Sequence, residues 1–371
     1  MPPPPTIAQL PDLIAALPER ERELAERLFQ VEVSEGRIEP PPEMEPWIER
    51  TFGSIEAARR QRIVRVMNRW TFEGSTFNPL RAQRPGAGTT ASGPAADPPE
   101  LRERIARTEG DDFCHPETGT PADTFGRIRG AHTITAANVA KADGWHGLTI
   151  FDHHDPLTFD EPLVADMLAT ALAWAKRAHD ADPAARHLFV LWNCLWRAGA
   201  SLIHGHAQMT LSHGMAHARV EQLRATAARY RAETGGDYFA DLAATLDALG
   251  LRAFAVDGVS AYAALTPVKE REIILLAPGA RLEDAPAILA APLWTILRAA
   301  TKEMGVRAFN VALYGPPLGG DPAWDSFPLV ARFVDRGAPL SPTSDIAALE
   351  LFGSSVISAD PFTVAATFRQ P

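Results

Sequence analysis

Between Asn193 and Gln208 the chain reads Asn193-Cys-Leu-Trp-Arg-Ala-Gly199-Ala200-Ser201-Leu-Ile-His204-Gly-His206-Ala-Gln208, a concentration of residues able to handle a phosphate. Gly199, Ala200 and Ser201 let the backbone approach a ligand closely, and successive main-chain amides there can cup an anion. In an extended chain alternate side chains share a face, so His204, His206 and Gln208 would project together, about 7 Å between neighbours two apart. A neutral imidazole is a nucleophile at physiological pH, its reference pKa being about 6.5. It can take a nucleotidyl group and pass it on, which divides one displacement into two. Gln208 can hold a phosphate oxygen without adding negative charge. This chemistry requires no cofactor. Three polar residues on an exposed strand face would show the same spacing.

The stretch resembles the active-site motif of the histidine-triad superfamily. More narrowly, it is similar to the branch holding galactose-1-phosphate uridylyltransferase and the diadenosine polyphosphate phosphorylases, whose motif ends in Gln where the hydrolase branch has a third His. The resemblance implies that His206 is the nucleophile, that Gln208 contacts the transferred phosphate, and that His204 is a supporting or metal-binding residue. Asn193 and Ser201 match positions that contact nucleotide phosphates in this branch. The run Asn78-Pro-Leu-Arg81-Ala-Gln-Arg84-Pro is similar to the branch's Arg-x-x-Arg-Pro run, so Arg81 and Arg84 are candidate phosphate clamps. On their own chemistry two guanidinium groups suit that role, and a solvated basic turn would read the same. Asn138, in Ile-Thr-Ala-Ala-Asn138-Val, matches an Asn near the nucleotide sugar or base, and the His146-Gly-Leu run matches the start of the next strand. Asn310-Val-Ala-Leu-Tyr, Pro328–Val334 and the stretch from Glu350 to Ala365 are similar to the branch's second half.

Many uridylyltransferases bind zinc through Cys-x-x-Cys, a later His and the first His of the triad. Here the corresponding residues are Asp111, Cys114, His154 and His204, four ligands of acceptable type for a structural zinc. A lone Cys is also at home as a small buried residue. The second half has no His-x-His pair and reads Ser326-Phe327-Pro328-Leu329 where uridylyltransferases serve the sugar, a departure from a galactose enzyme.

The activity implied is a ping-pong nucleotidyltransferase or phosphorylase. Its substrate would be a nucleoside diphosphate sugar or dinucleoside polyphosphate, and its acceptor a sugar phosphate or inorganic phosphate. A nucleotide hydrolase and a non-catalytic nucleotide-binding regulator are the alternatives, and the resemblance also implies a homodimer.

The elements that must position these residues follow from periodicity. Leu10, Leu13, Ile14 and Leu17 recur at helical spacing, and Ile7–Ala58 reads as helices interrupted at Pro40–Pro42. Ile63, Val64, Val66 and Met67 suggest a strand. Arg84–Pro99, rich in Gly, Pro, Ala, Ser and Thr, reads as a loop. Ala131–Ala140, His146–Phe151, His187–Asn193 and Ser201–Leu211 read as extended, with a helix over Glu161–His179. The second half shows helices over His217–Glu233 and Pro361–Arg369, and a helix over Ala285–Met304 broken at Pro292. Its strands are Ala253–Val256, Tyr262–Leu265, Glu272–Leu276, Phe309–Tyr314 and Leu329–Val334. Strands and helices mix without a βαβ rhythm, so an α+β fold with antiparallel sheet is expected. The resemblance makes it a histidine-triad-like fold of two related halves, 75–215 and 216–371, behind an N-terminal helical extension, 1–74. Trp70, Trp145, Trp192 and Trp196 suit core or pocket wall. Gly319-Gly320 reads as a turn, and neither Asp152/Asp155 nor Glu270/Glu272 forms an acid–base pair.

Bulk composition agrees. With 371 residues, 46% hydrophobic and 22% charged, the chain can fill two globular halves. A net charge of −10 argues against bulk nucleic acid as a partner. Two cysteines, Cys114 and Cys194, exclude a disulfide scaffold. The start Met-Pro-Pro-Pro-Pro is no secretory signal, and no apolar window is long enough to span a bilayer. A cytoplasmic protein without a membrane partner is expected.

Overall fold

The computed structural model describes residues 5–83 and 97–369, so Arg84 and most of the Gly/Pro-rich loop lie outside the described residues. The strands are β1 (Phe29–Arg37), β2 (Arg60–Asn68), β3 (Gly74–Phe77), β4 (Thr133–Ala137), β5 (Trp145–Phe151), β6 (Ala185–Cys194) and β7 (His206–His213). In the second half they are β8 (Arg252–Val256), β9 (Val259–Ala263), β10 (Glu270–Ala277), β11 (Phe309–Tyr314), β12 (Leu329–Asp335) and β13 (Ser354–Ile357). The fold is mixed α+β, with antiparallel sheet flanked by helices.

The two halves share one nine-stranded sheet of order β4-β5-β7-β6-β11-β12-β10-β9-β8, every neighbour antiparallel. They join at β6 and β11, where Asn193 stands opposite Asn310. A single sheet leaves no inner edge strands exposed between the halves.

The N-terminal 74 residues are not simply helical. β1 and β2 form a long hairpin, and β3 and β13 complete a four-stranded sheet, with β13 pairing parallel to β3. Val31, Val33, Val64 and Val66 alternate along this hairpin, but glutamates and a serine dilute the pattern in β1. Long-range pairing decides its conformation.

Behind the first-half strands lies the helix Glu161–Ala181. The Asp160 side chain caps it by accepting from Leu163 N at 3.0 Å. Leu163, Val164, Met167, Leu168, Ala171, Leu172, Trp174, Ala175 and Ala178 are buried along one broad stripe. The helix Ala285–Arg298 packs beside it and carries Pro292 within its span instead of breaking there. The helix Tyr238–Ala248 has no counterpart in the sequence reading. Among the described residues no helix is long and apolar enough to cross a membrane.

One continuous core fills the space between sheet and helices. A second, small apolar group of Phe113, Ile134, Ala136, Leu148 and Ile150, with Leu202 against it, lies apart from that core. Ile150 is the register partner of His206, and Leu148 that of Gln208, so this group floors the face that carries both residues.

Candidate active site

β7 alternates cleanly. Ala207, Met209 and Leu211 are fully buried in the main core, which turns His206 and Gln208 to the opposite face. His204 does not share that strand. It precedes β7 in the loop that follows β6, and its ring turns away toward a different set of partners. The three-residue alternation expected from an extended chain therefore holds for two residues only.

His206 is 4% exposed, and its Nδ1 lies 2.8 Å from the His204 carbonyl oxygen. A carbonyl only accepts, so Nδ1 carries the proton and Nε2 keeps its lone pair. Burial pulls the imidazole below its ordinary pKa, against the opposing pull of that backbone hydrogen bond, and so favours the neutral ring. The Phe113 ring meets His206 edge-on at 5.0 Å between centroids and helps fix its plane. Gly205 makes this turn possible, since a Cβ there would lie 2.5 Å from Cδ2 of buried Phe151.

Gln208 is half-buried, and its Oε1 lies 3.0 Å from His146 Nε2. Asn138, just past β4, sits beside the same ring, with its Nδ2 3.3 Å from His146 Nε2.

Residues 195–205 leave β6 through Leu195 and Gly199, both at positive φ (67° and 97°). The second half braces this loop. Asn310 Nδ2 donates to Asn193 Oδ1 at 2.6 Å and to the Ala198 carbonyl at 2.8 Å, and Arg336 Nη1 donates to Asn310 Oδ1 at 2.5 Å. Arg197 Nε and Trp196 Nε1 donate to the Arg336 and Pro339 carbonyls, each at 2.9 Å. Because the Asn193 oxygen is occupied, its NH2 is the end left for a ligand acceptor. Ala200 is buried, whereas Ser201 is exposed beside it.

Asp111, Cys114, His154 and His204 come together as one group, their candidate ligand atoms all within 4.8 Å of one another. The sulfur lies 3.4 Å from His154 Nδ1 and 3.5 Å from His204 Nδ1, and the two nitrogens are 3.4 Å apart. Asp111 Oδ1 is 3.5 Å from His204 Nδ1 and Oδ2 is 4.0 Å from His154 Nδ1. Ligands at tetrahedral zinc bond lengths stand about 3.3–3.7 Å apart. The outer partners agree. His204 Nε2 donates to the Phe151 carbonyl and His154 Nε2 to the Ile105 carbonyl, each at 3.0 Å, which leaves both Nδ1 atoms as lone pairs facing inward. Asp111 Oδ2 is buried without a hydrogen-bond partner. Burial raises the Cys114 thiol, and the charge of Asp111 adds to the rise; a divalent cation would reverse both effects. The residues fit a structural zinc.

A cleft of about 640 Å³ opens on Cys114, His154 and His204 of this quartet and is floored by Phe113, Ile134 and Ile150, with Arg129, His132 and His153 among its polar walls; Asp111, His206 and Gln208 are not in its lining. Arg81 is placed elsewhere. It is exposed on the turn Pro79–Gln83 and lines a separate cleft with Ile38, Met44, Trp47 and Phe52 beside the N-terminal sheet.

His146, Asn310 and Arg336 are the site residues that sequence reasoning gave no role. Each acts through a partner 26 to 117 residues away, and no short-range pattern signals that.

No family model matches the chain, and no curated protein matches it in sequence. Solved structures do share its fold. An ADP-glucose phosphorylase from Arabidopsis thaliana, with ADP-glucose bound, superposes with a TM-score of 0.62 at 15% identity, over 81% of this chain and 96% of that one. A GALT-like protein of the same organism gives 0.57 at 15% identity, over 71% and 92%. A uridylyltransferase gives 0.55 at 16% identity, over 67% and 87%. At these identities the likeness is one of fold.

Proposed function

We propose that this chain transfers nucleotidyl groups through His206, as a nucleotidyltransferase or phosphorylase. The observation that carries the reading is the geometry of His206: Nδ1 lies 2.8 Å from the His204 carbonyl oxygen and carries the proton, so that the Nε2 lone pair is the free end of a buried ring. In the first step Nε2 attacks the α-phosphorus of a nucleoside diphosphate sugar or dinucleoside polyphosphate. The P–N bond forms, the bond to the bridging oxygen breaks, and the departing phosphate takes that electron pair. In the second step a phosphate oxygen of the acceptor attacks the same phosphorus, and the P–N electrons return to Nε2. Gln208 and Asn193 each offer an NH2 to non-bridging oxygens; the Gly199 and Ala200 amides already donate to the Trp196 and Leu195 carbonyls, so the Ser201 amide is the donor this loop can add without charge. The apolar floor of Phe113, Ile134 and Ile150 suits a base or ribose face beside the nucleophile. The acceptor would be inorganic phosphate or a sugar phosphate. Asp111, Cys114, His154 and His204 would hold zinc, which supplies a cross-link between three segments that frame His206 and takes no part in the transfer.

The test is to mix the protein with α-phosphate-labelled ADP-glucose, UDP-glucose and diadenosine tetraphosphate, quench, and measure acid-labile label on protein. The reading expects label with at least one donor and none in His206→Asn. Absence of label with all three would refute it. Label released by phosphate alone marks a phosphorylase, by a sugar phosphate a transferase, and by water a hydrolase.

A further inference from the structure

We propose that His146 is a positioning residue for Gln208, holding that amide with its oxygen turned to the protein and its NH2 left for the phosphate. The proposal rests on the reading of His206 and Gln208 given above.

A glutamine amide has two ends of nearly equal shape and opposite chemistry. A phosphate oxygen only accepts, so only the NH2 end can hold it. Which end is offered depends on what the other end meets. The Ala142 backbone N–H lies 3.0 Å from His146 Nδ1. A backbone amide only donates, so Nδ1 is an acceptor and the ring proton is on Nε2. That nitrogen is 3.0 Å from the Gln208 side chain, and a donor there requires the oxygen end. The order of donation runs from Ala142 to His146 to Gln208 Oε1, and the NH2 is the end left over. It stands on the face where His206 projects, two residues along the same strand. Asn138 Nδ2, 3.3 Å from the protonated Nε2, is then a contact between two donors and not a competing hydrogen bond.

The ring is built in. His146 is 5% exposed. Its carbonyl accepts from Asn138 N at 2.9 Å and from Lys141 Nζ at 3.1 Å, so the strand backbone beneath it is held twice. Without the Nε2 donor the Gln208 amide would be free to turn its oxygen toward the phosphate, where like partial charges repel.

Two conservative variants separate this role from a structural one. His146→Asn keeps an acceptor where Nδ1 stands and has no donor where Nε2 stands. His146→Gln reaches Nε2's position with an NH2 and gives up the bond from Ala142. The measurement is the single-turnover rate of labelling of the full-length protein with α-phosphate-labelled ADP-glucose, UDP-glucose and diadenosine tetraphosphate, alongside thermal melting. Losing orientation of one donor at the reacting phosphate is expected to slow labelling roughly tenfold or more in His146→Asn, at little change in half-saturating donor. His146→Gln should stay within about threefold of wild type, and His146→Asn should add nothing in a Gln208→Ala background. Equal slowing of both variants in step with lost melting temperature, or a full extra penalty on top of Gln208→Ala, would overturn the proposal. Wild-type labelling rates in His146→Asn would overturn it alone, whereas no label on wild-type protein would overturn the reading of His206 beneath it.

Discussion

Gly205→Ala tests the packing that turns the chain between His204 and His206. Gly205 is not among the residues at positive φ, so alanine suits its backbone and the cost is steric alone. The new Cβ would lie 2.5 Å from Phe151 Cδ2 and 3.3 Å from Cε2 and Cγ. Phe151 has little room to yield. It is 2% exposed and meets the buried Trp192 edge-on at 5.2 Å. Overpacking of this kind costs about 1–3 kcal/mol. With an unfolding entropy near 2.1 cal/mol/K per residue, a chain of this size should lose about 1–4 °C in Tm. Activity should suffer more. The Phe151 carbonyl anchors His204 Nε2, Phe151 N donates to the Gly205 carbonyl, and the His204 carbonyl sets the His206 tautomer. A shift of a few tenths of an ångström at residue 205 passes directly to His206, and labelling of that residue should slow about tenfold or more. The assays are differential scanning calorimetry and the single-turnover labelling rate. Phe151→Ala should restore part of the rate in the Gly205→Ala background at a further cost in stability, because it removes Cγ, Cδ2 and Cε2, the atoms the Cβ meets. A Gly205→Ala protein with wild-type melting and labelling would refute the reasoning.

Asn310→Ala removes the donors to Asn193 Oδ1 and the Ala198 carbonyl; it should destabilise by about 1–3 kcal/mol in chemical denaturation and weaken donor binding, whereas unchanged half-saturation would show that Asn193 needs no brace. The purified protein should contain about one zinc per chain by elemental analysis, and chelation should lower its melting temperature; Cys114→Ser should lose metal, and full zinc occupancy in that variant would exclude the quartet. Burial alone would raise the Glu73 carboxyl, but Arg332 and Arg219 more than offset this and hold its pKa below the usual value. Its contribution is therefore present above the unfolded glutamate pKa of about 4.3 and lost as pH falls from there through the lower folded value. Glu73→Gln should flatten the acid limb of a stability-versus-pH curve in that window, and an unchanged limb would show that other carboxylates carry it.

The legible part was local. The His-x-His-x-Gln stretch states its chemistry by residue type and spacing, and the short apolar runs at β6, β11 and β12 mark strands that do form. The helix Glu161–Ala181 is legible in its apolar stripe. β1 was hidden because its strand identity comes from pairing with β2, residue against residue, and not from its own glutamate-rich sequence. Pro292 does not break the helix Ala285–Arg298, because that helix is held by buried residues on both sides of it.

By itself the sequence determined which side chains could do chemistry here: a nucleophilic imidazole, an uncharged amide two residues on, and four residues of zinc-binding type. Those properties belong to the side chains and survive in any fold. Tertiary structure decided which of them act together. It took His204 out of the strand and gave it to Asp111, Cys114 and His154, and it left Arg81 beside the N-terminal sheet. It also chose the tautomers. The proton of His206 is set by the His204 carbonyl, and the orientation of Gln208 by a histidine 62 residues earlier in the chain. A proton's position depends on what lies within about 3 Å, and only folding brings residues so distant in sequence to that range.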